Sequence, residues 1–460
     1  MNVRHWLFIL GMGLASFAHA ESMTFQQAWQ RVVVEDEQIA AGQAAEKRAK
    51  ALVKSHQSLL LPQVDVVASY TRLEKPVELD ALALEPLSDI ANTAPGQALI
   101  DFVGGDDWFV TPVSKQDVVR SSLVALWPLY TGGKIKAAGE IAKLGEAEAQ
   151  ALLEEVRRVR FVTLANSYYG LLLAERINQT LEKTQAALSE HAAAALAREQ
   201  AGQLAKVERM AMEVARDEAR LKASNGRQKQ AVLNNALSSL VHTEAAAPAG
   251  TLFIHRQLPP LEQLQAGLQE HPSLQMLAAK EGQARVLAKA SRGLYHPNVF
   301  MYGSYHLYDN NDYAKDITPD WFVGLGVRVP LMDRSGRRNK ISAADSALAE
   351  AEHLQAGTLR QLSVLLERQY SDVEQALVEY DTLQSHIELA EEALRLQERA
   401  FEEGLARSLD VVDAQQALTT AQTRQYTAAA KYVTGLAQLL ALAGEQERFF
   451  HMMQTGEPVL

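Results

Sequence analysis

A short turn joins two helical segments of this chain in the stretch RAFEEGLARSLDVVDA, residues 399–414. Gly404 is the predicted point of reversal, because glycine readily adopts the left-handed conformation that ends a helix. Ser408 has the position of an N-cap for the helix that follows, and Asp410 falls in its first turn. The stretch therefore predicts the tip of a helical hairpin.

The same pattern occurs earlier, in the stretch REQAGQLAKVE at residues 198–208. Its glycine, Gly202, precedes Gly404 by nearly half the length of the chain. Another landmark is also repeated, since Pro62 and Pro297 each precede a segment of alternating polarity. Repetition on this scale indicates a duplicated supersecondary unit. We therefore predict one helical hairpin that is built twice.

The predicted organisation follows this duplication. The second long helix, at 339–400, has apolar residues three and four positions apart over its length, and it would be roughly 90 Å long. A helix of this length must pack lengthwise on others. The first predicted part is a signal peptide (1–20). A first repeat (21–245) has an initial helix, strands at about 63–72 and 118–127, a long helix at 134–201 and a helix at 205–242. After a linker (246–260), a second repeat (261–445) has an initial helix, strands at about 298–308 and 321–329, a long helix at 339–400 and a helix at 409–442, and a C-terminal tail (446–460) follows.

The first twenty residues have the features of an export signal. Arg4 and His5 precede an apolar run, and Ala18-His19-Ala20 fits the small-x-small cleavage rule. The apolar run is shorter than the roughly 18 residues that a membrane-spanning helix needs. We therefore expect cleavage after Ala20 and export of the mature chain.

Composition excludes several classes of function. The 460 residues include 14 Pro, 26 Gly and 7% aromatic residues, a mixture that suits long helices. The net charge of −11 argues against nucleic acid as a partner. The absence of Cys excludes disulfides, thiolate metal sites and a lipidated N-terminal cysteine. The 12 His have no metal-ligand spacing, and no Ser/His/Asp constellation has support in the sequence, so we predict no catalytic residue, no metal and no cofactor.

The four predicted strands have one apolar face and one polar or glycine face. In the last strand Trp321, Val323 and Leu325 face one way, and the other face has Phe322, Gly324, Gly326 and Arg328. This alternation is typical of an outer-membrane barrel strand, although a soluble sandwich hairpin has the same pattern. Four strands cannot close a barrel, and an open edge in lipid is costly. If these strands span a membrane, several chains must therefore contribute to one barrel.

Two segments between the strands have no sustained period. Residues 74–115 are rich in Pro, Gly and Asp and are predicted to form a long loop. The sequence DNND at 309–312 is similar to the start of a calcium-binding loop, but Ala314 occupies the position at which that loop needs glycine. We therefore predict a hairpin turn at 309–312.

These motifs together resemble the TolC family of trimeric outer-membrane efflux and secretion channel proteins. The likeness extends over residues 21–445 and depends on the duplicated order of helices and strands and on the sequence GLARSLDVVDA at 404–414. It implies a mainly α fold with a small transmembrane β part. Duplicated helical hairpins would form a coiled-coil barrel, and four strands from each of three chains would form a 12-stranded β-barrel.

The resemblance also implies a function and partners. The chain would be an exit duct in the cell outer membrane, extending into the periplasm, and not an enzyme. It would serve a tripartite efflux pump or a type I secretion system and pass small molecules or polypeptides to the outside. Its partners would be two further copies, a periplasmic adaptor, an inner-membrane transporter and outer-membrane lipid, with no nucleic acid.

The tip residues acquire roles through the same resemblance. Residues expected to contact the adaptor are Gly202, Gln203, Leu204, Ala205, Gly404, Leu405, Ala406 and Arg407. Residues expected to form the periplasmic gate are Asp410, Asp413, Arg407, Phe401 and Glu208. Phe401 stands where many members have tyrosine, and Arg407 lies one place later than in some members.

The two aspartates have alternative interpretations. Three chains would bring copies of Asp410 and Asp413 together as acidic rings, whose mutual repulsion would raise the pKa of each carboxyl. Alternatively, both carboxylates only stabilise the first turns of a helix.

For the whole chain, the alternative function is a periplasmic structural or adaptor coiled coil that does not span a membrane. Adaptors, however, have one helical hairpin between other β domains, whereas this chain is predicted to have two hairpins and no such domains.

Overall fold

The computed structural model describes residues 21–85, 87–103, 105–311, 313, 319–332 and 336–459. The predicted signal peptide, 1–20, lies outside these residues. Contacts divide the described chain into two compact units. A helical unit contains 21–48, 147–280 and 351–459, and a sheet unit contains 49–146 and 281–350.

Long helices account for most of the chain, as the repeat predicts. The helices are α1 (Phe25–Glu35), α2 (Glu37–Gln57), α3 (Leu87–Ala91), α4 (Ala94–Val103), α5 (Lys134–Gln200), α6 (Lys206–Leu240), α7 (Leu261–Gly267), α8 (Pro272–Arg292), α9 (Arg337–Glu402), α10 (Ser408–Leu442) and α11 (Gln446–Thr455). The strands are β1 (Glu21–Met23), β2 (Gln63–Arg72), β3 (Val77–Asp80), β4 (Val110–Ser114), β5 (Asp117–Tyr130), β6 (Ala246–Pro248), β7 (Phe253–Ile254), β8 (Asn298–Asp309), β9 (Trp321–Arg328) and β10 (Glu457–Pro458). None of the helices described here is both long and apolar enough to cross a membrane.

The helical unit is built around a buried aromatic cluster. The ring of Phe25 in α1 lies 5.5 Å from that of Phe161 in α5 and 5.4 Å from that of Phe449 in α11, in edge-to-face contacts. Burying an aromatic side chain contributes roughly 1.5–3 kcal/mol. Residues 246–260 and 446–459, from the predicted linker and tail, take part in this unit, because β6 pairs with β1 and β10 with β7.

A second cluster of the same unit, the tip cluster, lies near the two hairpin turns. It joins α5 and α6 of the first hairpin to α9 and α10 of the second. Its larger buried members are Leu188, Met212, Ile387, Leu394, Phe401, Val411, Val412 and Leu418. These residues fall at helical spacing, so the apolar stripe of each helix supplies them.

The sheet unit contains an antiparallel four-stranded sheet in the order β2–β5–β8–β9. The β5–β8 pair joins the two repeats, and β2 and β9 form the edges, each with one side unpaired within the described chain. Register places Val66 opposite Leu123 and Met301 opposite Leu325, so the predicted apolar residues share one face. That face is exposed, with Leu325 at 65%.

The opposite face of the sheet is less polar than the sequence predicts. Gly324 and Gly326 of β9 lie beneath the rings of Tyr302 and Phe300 of β8, and a Cβ atom at either glycine would be within 2.7 Å of the ring above it. Glycine is therefore required at both positions for close packing of an aromatic ring on the neighbouring strand.

Residues 74–115 contain regular structure, although the sequence predicts a long loop. Strands β3 and β4 pair as a bulged antiparallel ribbon, and α3 and α4 lie between them. The side chains of Asn310 and Asn311 hold the base of this segment: Asn311 Nδ2 donates to the Val113 carbonyl at 3.1 Å, and Asn310 Nδ2 donates to that of Asp117 at 3.0 Å. Asn310 and Asn311 thus anchor the segment through their side-chain amides, whereas the hairpin turn predicted at 309–312 lies partly outside the described residues.

Candidate functional site

Both hairpins reverse at the predicted glycines. Gly202 has φ +73° and Gly404 has φ +75°, in the left-handed region that favours glycine. In each tip a backbone N–H just after the glycine bonds back to the helix: Gln203 N donates to Arg198 O, and Leu405 N donates to Ala400 O, both at 2.8 Å. These bonds satisfy carbonyls that the helix end leaves free.

The second helix of the second hairpin begins one residue earlier than predicted. Arg407, not Ser408, is the N-cap of α10, and Ser408 is its first residue. The Asp410 carboxylate accepts the backbone N–H of Arg407 at 2.9 Å and its guanidinium at 2.8 Å. The prediction of a Ser408 cap was wrong, because the helix already includes Ser408 and its N3 residue, Asp410, reaches back to the backbone N–H of Arg407.

Two hydrogen bonds join the tips of the two hairpins. The Glu208 carboxylate accepts the backbone N–H of Ser408 at 2.8 Å. The Arg198 guanidinium donates to the Phe401 carbonyl at 2.8 Å and lies 4.7 Å from the centre of the Phe401 ring. Both bonds involve a charged group, and such bonds are stronger than neutral ones.

The structure therefore brings most of the predicted gate residues together. Glu208, Phe401, Arg407 and Asp410 lie within or beside these contacts, whereas Asp413 is exposed one turn further along α10. Arg198 was not predicted, although it belongs to the stretch that repeats the tip pattern. The only sign of it in the sequence is that Arg198 lies five residues before Gln203, at the start of the tip. An arginine that forms an ordinary surface salt bridge would occupy the same position, so the sequence does not distinguish the two roles.

The predicted adaptor contacts divide into packed and exposed residues. Leu204 and Ala406 pack on the tip cluster. Gln203, Ala205 and Leu405 are exposed, with Leu405 at 79%. Gly202 and Gly404 have open space where a side chain would begin. Each tip thus offers an exposed turn on a packed base.

Charge pairs stiffen the base of the first tip. Arg209 in α6 contacts Glu199 in α5 and Glu213 in its own helix, both at 2.5 Å. These two carboxylates raise the pKa of Arg209. His191 of α5 also lies 3.2 Å from Glu398 of α9. No group of three or more His, Asp or Glu in the described residues could hold a metal ion.

An acidic ring would raise the pKa of the Asp410 carboxyl, but the contact with Arg407 lowers it. The guanidinium and backbone N–H of Arg407 hold the pKa of the Asp410 carboxyl below its ordinary value of 3.8. A lowered pKa means that the charged form, and the contact that depends on it, persists until the pH falls through that lower value.

We expect cation selectivity that depends on Asp410 to be the same at pH 7.5 and pH 5, because this carboxylate stays charged over that range. Reversal potentials in planar bilayers under a KCl gradient measure it, with Asp410→Asn at pH 7.5 as the uncharged reference. If the wild-type protein at pH 5 matched that reference, repulsion between copies would outweigh the Arg407 contact.

Comparison with known proteins decides the class of this chain. Its sequence matches the family model described as "Outer membrane efflux protein" over residues 28–241 and 264–445. The chain belongs to this family. No functionally curated protein has a matching sequence.

Solved channels have the same fold. VceC from Vibrio cholerae is 16% identical with a TM-score of 0.73, and the alignment covers 92% of this chain and 96% of that protein. CmeC from Campylobacter jejuni is 14% identical with a TM-score of 0.75, covering 99% and 98%. MtrE from Neisseria gonorrhoeae, solved in an open state, is 17% identical with a TM-score of 0.72, covering 92% and 89%.

Family membership confirms the main predictions. The chain is an outer-membrane efflux channel protein, it extends into the periplasm, and it is not an enzyme. The alternative of a periplasmic coiled coil outside the membrane is wrong, because the family consists of outer-membrane channels. Membership also implies trimeric assembly and interaction with pump components.

Proposed function

We propose that three copies of this efflux channel protein form one duct, in which each chain contributes its four-stranded sheet to a closed 12-stranded barrel. The observation that carries this proposal is the sheet itself, which has an exposed apolar face and two edges, β2 and β9, that pair with no other strand among the described residues. In lipid every unpaired backbone group costs several kcal/mol, so both edges must pair with neighbouring copies.

Exposed apolar side chains on the helices support the same assembly. On α6, Val207, Met210 and Val214 are exposed at helical spacing. On α9, Val364 and Leu389 are exposed although Leu366 and Val373 are buried within the chain. A second apolar stripe on a helix that already packs on its own chain indicates contact with another copy.

The exposed turns are the proposed docking sites for a periplasmic adaptor, which would connect the duct to an inner-membrane transporter. Gln203 and Leu405 lie at these turns, and neither is needed to pack the tip cluster. The family description favours an efflux pump over a type I secretion system.

The contacts between the hairpins support a gate at this end of the duct. Glu208 and Arg198 of the first hairpin bind backbone groups of the second, so they hold α10 and the turn before it in place. Three copies of α10 around one axis would present Asp413, which is exposed, as an acidic ring. Such rings favour cations.

We expect Gly202→Val and Gly404→Val each to abolish efflux while the trimer remains intact. Each substitution forces a β-branched residue into a left-handed conformation at a cost of roughly 1–2 kcal/mol, which reshapes the turn but leaves the helices paired. Drug susceptibility of a strain that depends on this duct measures efflux, and the mass of the detergent-extracted complex measures assembly.

Gly357→Ala is the matched control, because Gly357 lies inside α9 with open space around it. Alanine suits a helix better than glycine, so efflux should be unchanged. Normal efflux in both valine variants would contradict docking at the tips. A complex smaller than three copies in the wild-type protein would contradict the duct itself.

A further inference from the structure

A groove in the sheet unit lies where the helices meet the strands. It has a volume of about 560 Å³ and is formed by the first turns of α5 and α9 and the last turns of α8. Most of its lining is apolar and small, with Ala137, Ala290 and Ala344 as examples and Leu287 exposed by 48% at its wall. Its volume is in the range of ligand-binding cavities.

Two lysines border this apolar lining. Lys134, the first residue of α5, and Lys340, in the first turn of α9, both line the groove, and no acidic residue does. Neither ammonium group forms an ion pair with any residue that the structure describes. An apolar groove with unpaired cations at its border is complementary to a ligand that has an apolar chain and an anionic head.

The electrostatics of the two helix starts add to this complementarity. The first turns of α5 and α9 contain no acidic residue. A helix start has a partial positive charge, so cations placed there are unfavourable unless an anion is close. The groove thus combines the positive ends of two helices with two ammonium groups.

The position of the groove indicates which anion is available. Lys134 follows the end of β5 by four residues, and Leu294, which also lines the groove, precedes the start of β8 by four. Because the sheet spans the outer membrane, these residues lie at its periplasmic surface. Trp127 and Tyr130, both exposed near the end of β5, suit that level, since aromatic residues are enriched at membrane interfaces.

We propose that this groove binds an anionic phospholipid of the periplasmic leaflet. The phosphate lies between Lys134 and Lys340, and one acyl chain lies along the alanines of α5, α8 and α9. Such a lipid covers apolar surface that a single chain leaves in water and neutralises the two helix starts. The inference depends on the channel's place in the outer membrane, but it does not depend on adaptor docking at the tips.

The absence of native Cys allows a direct test. Ala138→Cys places a single thiol in the groove, and a bimane label on it reports bromine atoms within contact distance. The labelled complex is titrated with brominated phosphatidylglycerol or brominated phosphatidylcholine in detergent. We expect phosphatidylglycerol to quench the label at lower concentration, because only its head has a net negative charge.

Charge variants test the lysines. Lys134→Gln with Lys340→Gln should raise the phosphatidylglycerol concentration needed for half-maximal quenching roughly thirtyfold. Each basic residue near an anionic lipid surface contributes about 1 kcal/mol of binding free energy, and two of them account for this factor. The matched control is Lys136→Gln with Lys143→Gln. It also removes two positive charges, both from positions of α5 that do not line the groove, and it should leave quenching unchanged.

Three results would overturn the proposal. The first is equal quenching by the two lipids in the singly labelled protein, a comparison that needs no charge variant to fold. The second is the same affinity in the groove variant and its control. The third is that neither lipid quenches the label while the unlabelled Ala138→Cys protein forms disulfides between copies. That result would mean that a second copy of the chain fills the groove. Loss of efflux in tip variants would leave all three readouts unchanged.

Discussion

Leu325→Arg is expected to abolish assembly of the channel in the outer membrane. Leu325 lies in the middle of β9, on the apolar face of the sheet, opposite Met301 of β8. An arginine facing lipid near the middle of the membrane costs roughly 2–4 kcal/mol, and a trimer contains three of them, about 6–12 kcal/mol in total. Because proteins are stabilised by only about 5–15 kcal/mol, this cost is comparable with the whole stability of a domain.

The measurement is the amount of folded trimer in the outer-membrane fraction, detected on gels without heating. Ser304→Arg is the matched control, because Ser304 lies on β8 opposite Phe322, on the other face of the same sheet. That face points to the lumen in the proposed barrel, where a charged side chain remains in water. Trimer yield should fall only for Leu325→Arg. Equal loss in both variants, or in neither, would contradict the assignment of the two faces.

The double variant Arg198→Ala with Glu208→Ala is expected to open the periplasmic end of the duct. The two side chains supply the hydrogen bonds between the tips of the hairpins. Bonds to charged groups contribute about 1.5 kcal/mol or more each. Losing both would shift the equilibrium between closed and open tips by about 3 kcal/mol, roughly a hundredfold in population.

Single-channel conductance in planar bilayers measures this opening, and we expect the double variant to remain in a high-conductance state. Arg209→Ala is the control, since the ion pairs that Arg209 forms among the described residues lie within the first hairpin. It should leave conductance unchanged. An intact double-variant trimer with wild-type conductance would show that these contacts do not keep the tips closed.

Much of the architecture could be predicted from local patterns. The reversal glycines were identified because a left-handed residue between two periodic segments has few alternatives to glycine, and both have positive φ. Strand β2 was predicted at its observed bounds, since strict alternation of apolar and polar residues indicates a strand with one apolar and one polar face. Helix ends were placed within a few residues, because capping depends on a small number of side chains.

Other features could not be read from local sequence. The structure of residues 74–115 was missed because short helices and a two-stranded ribbon are too short to show a period, and because their anchor, Asn310 and Asn311, lies almost 200 residues away. The aromatic rings over Gly324 and Gly326 were missed because alternation within one strand does not indicate what the neighbouring strand places above a glycine.

The sequence by itself determined the duplicated hairpins, the turns at Gly202 and Gly404, and the two faces of each strand, because each depends on residues within a few positions of one another. Only the tertiary structure decided which groups hold the tips together. The bonds from Glu208 to Ser408 and from Arg198 to Phe401 join residues about 200 positions apart. Their partners are backbone groups, which every residue carries, so no residue type in the sequence indicates them; only the packing of one hairpin on the other brings the charged side chains within reach.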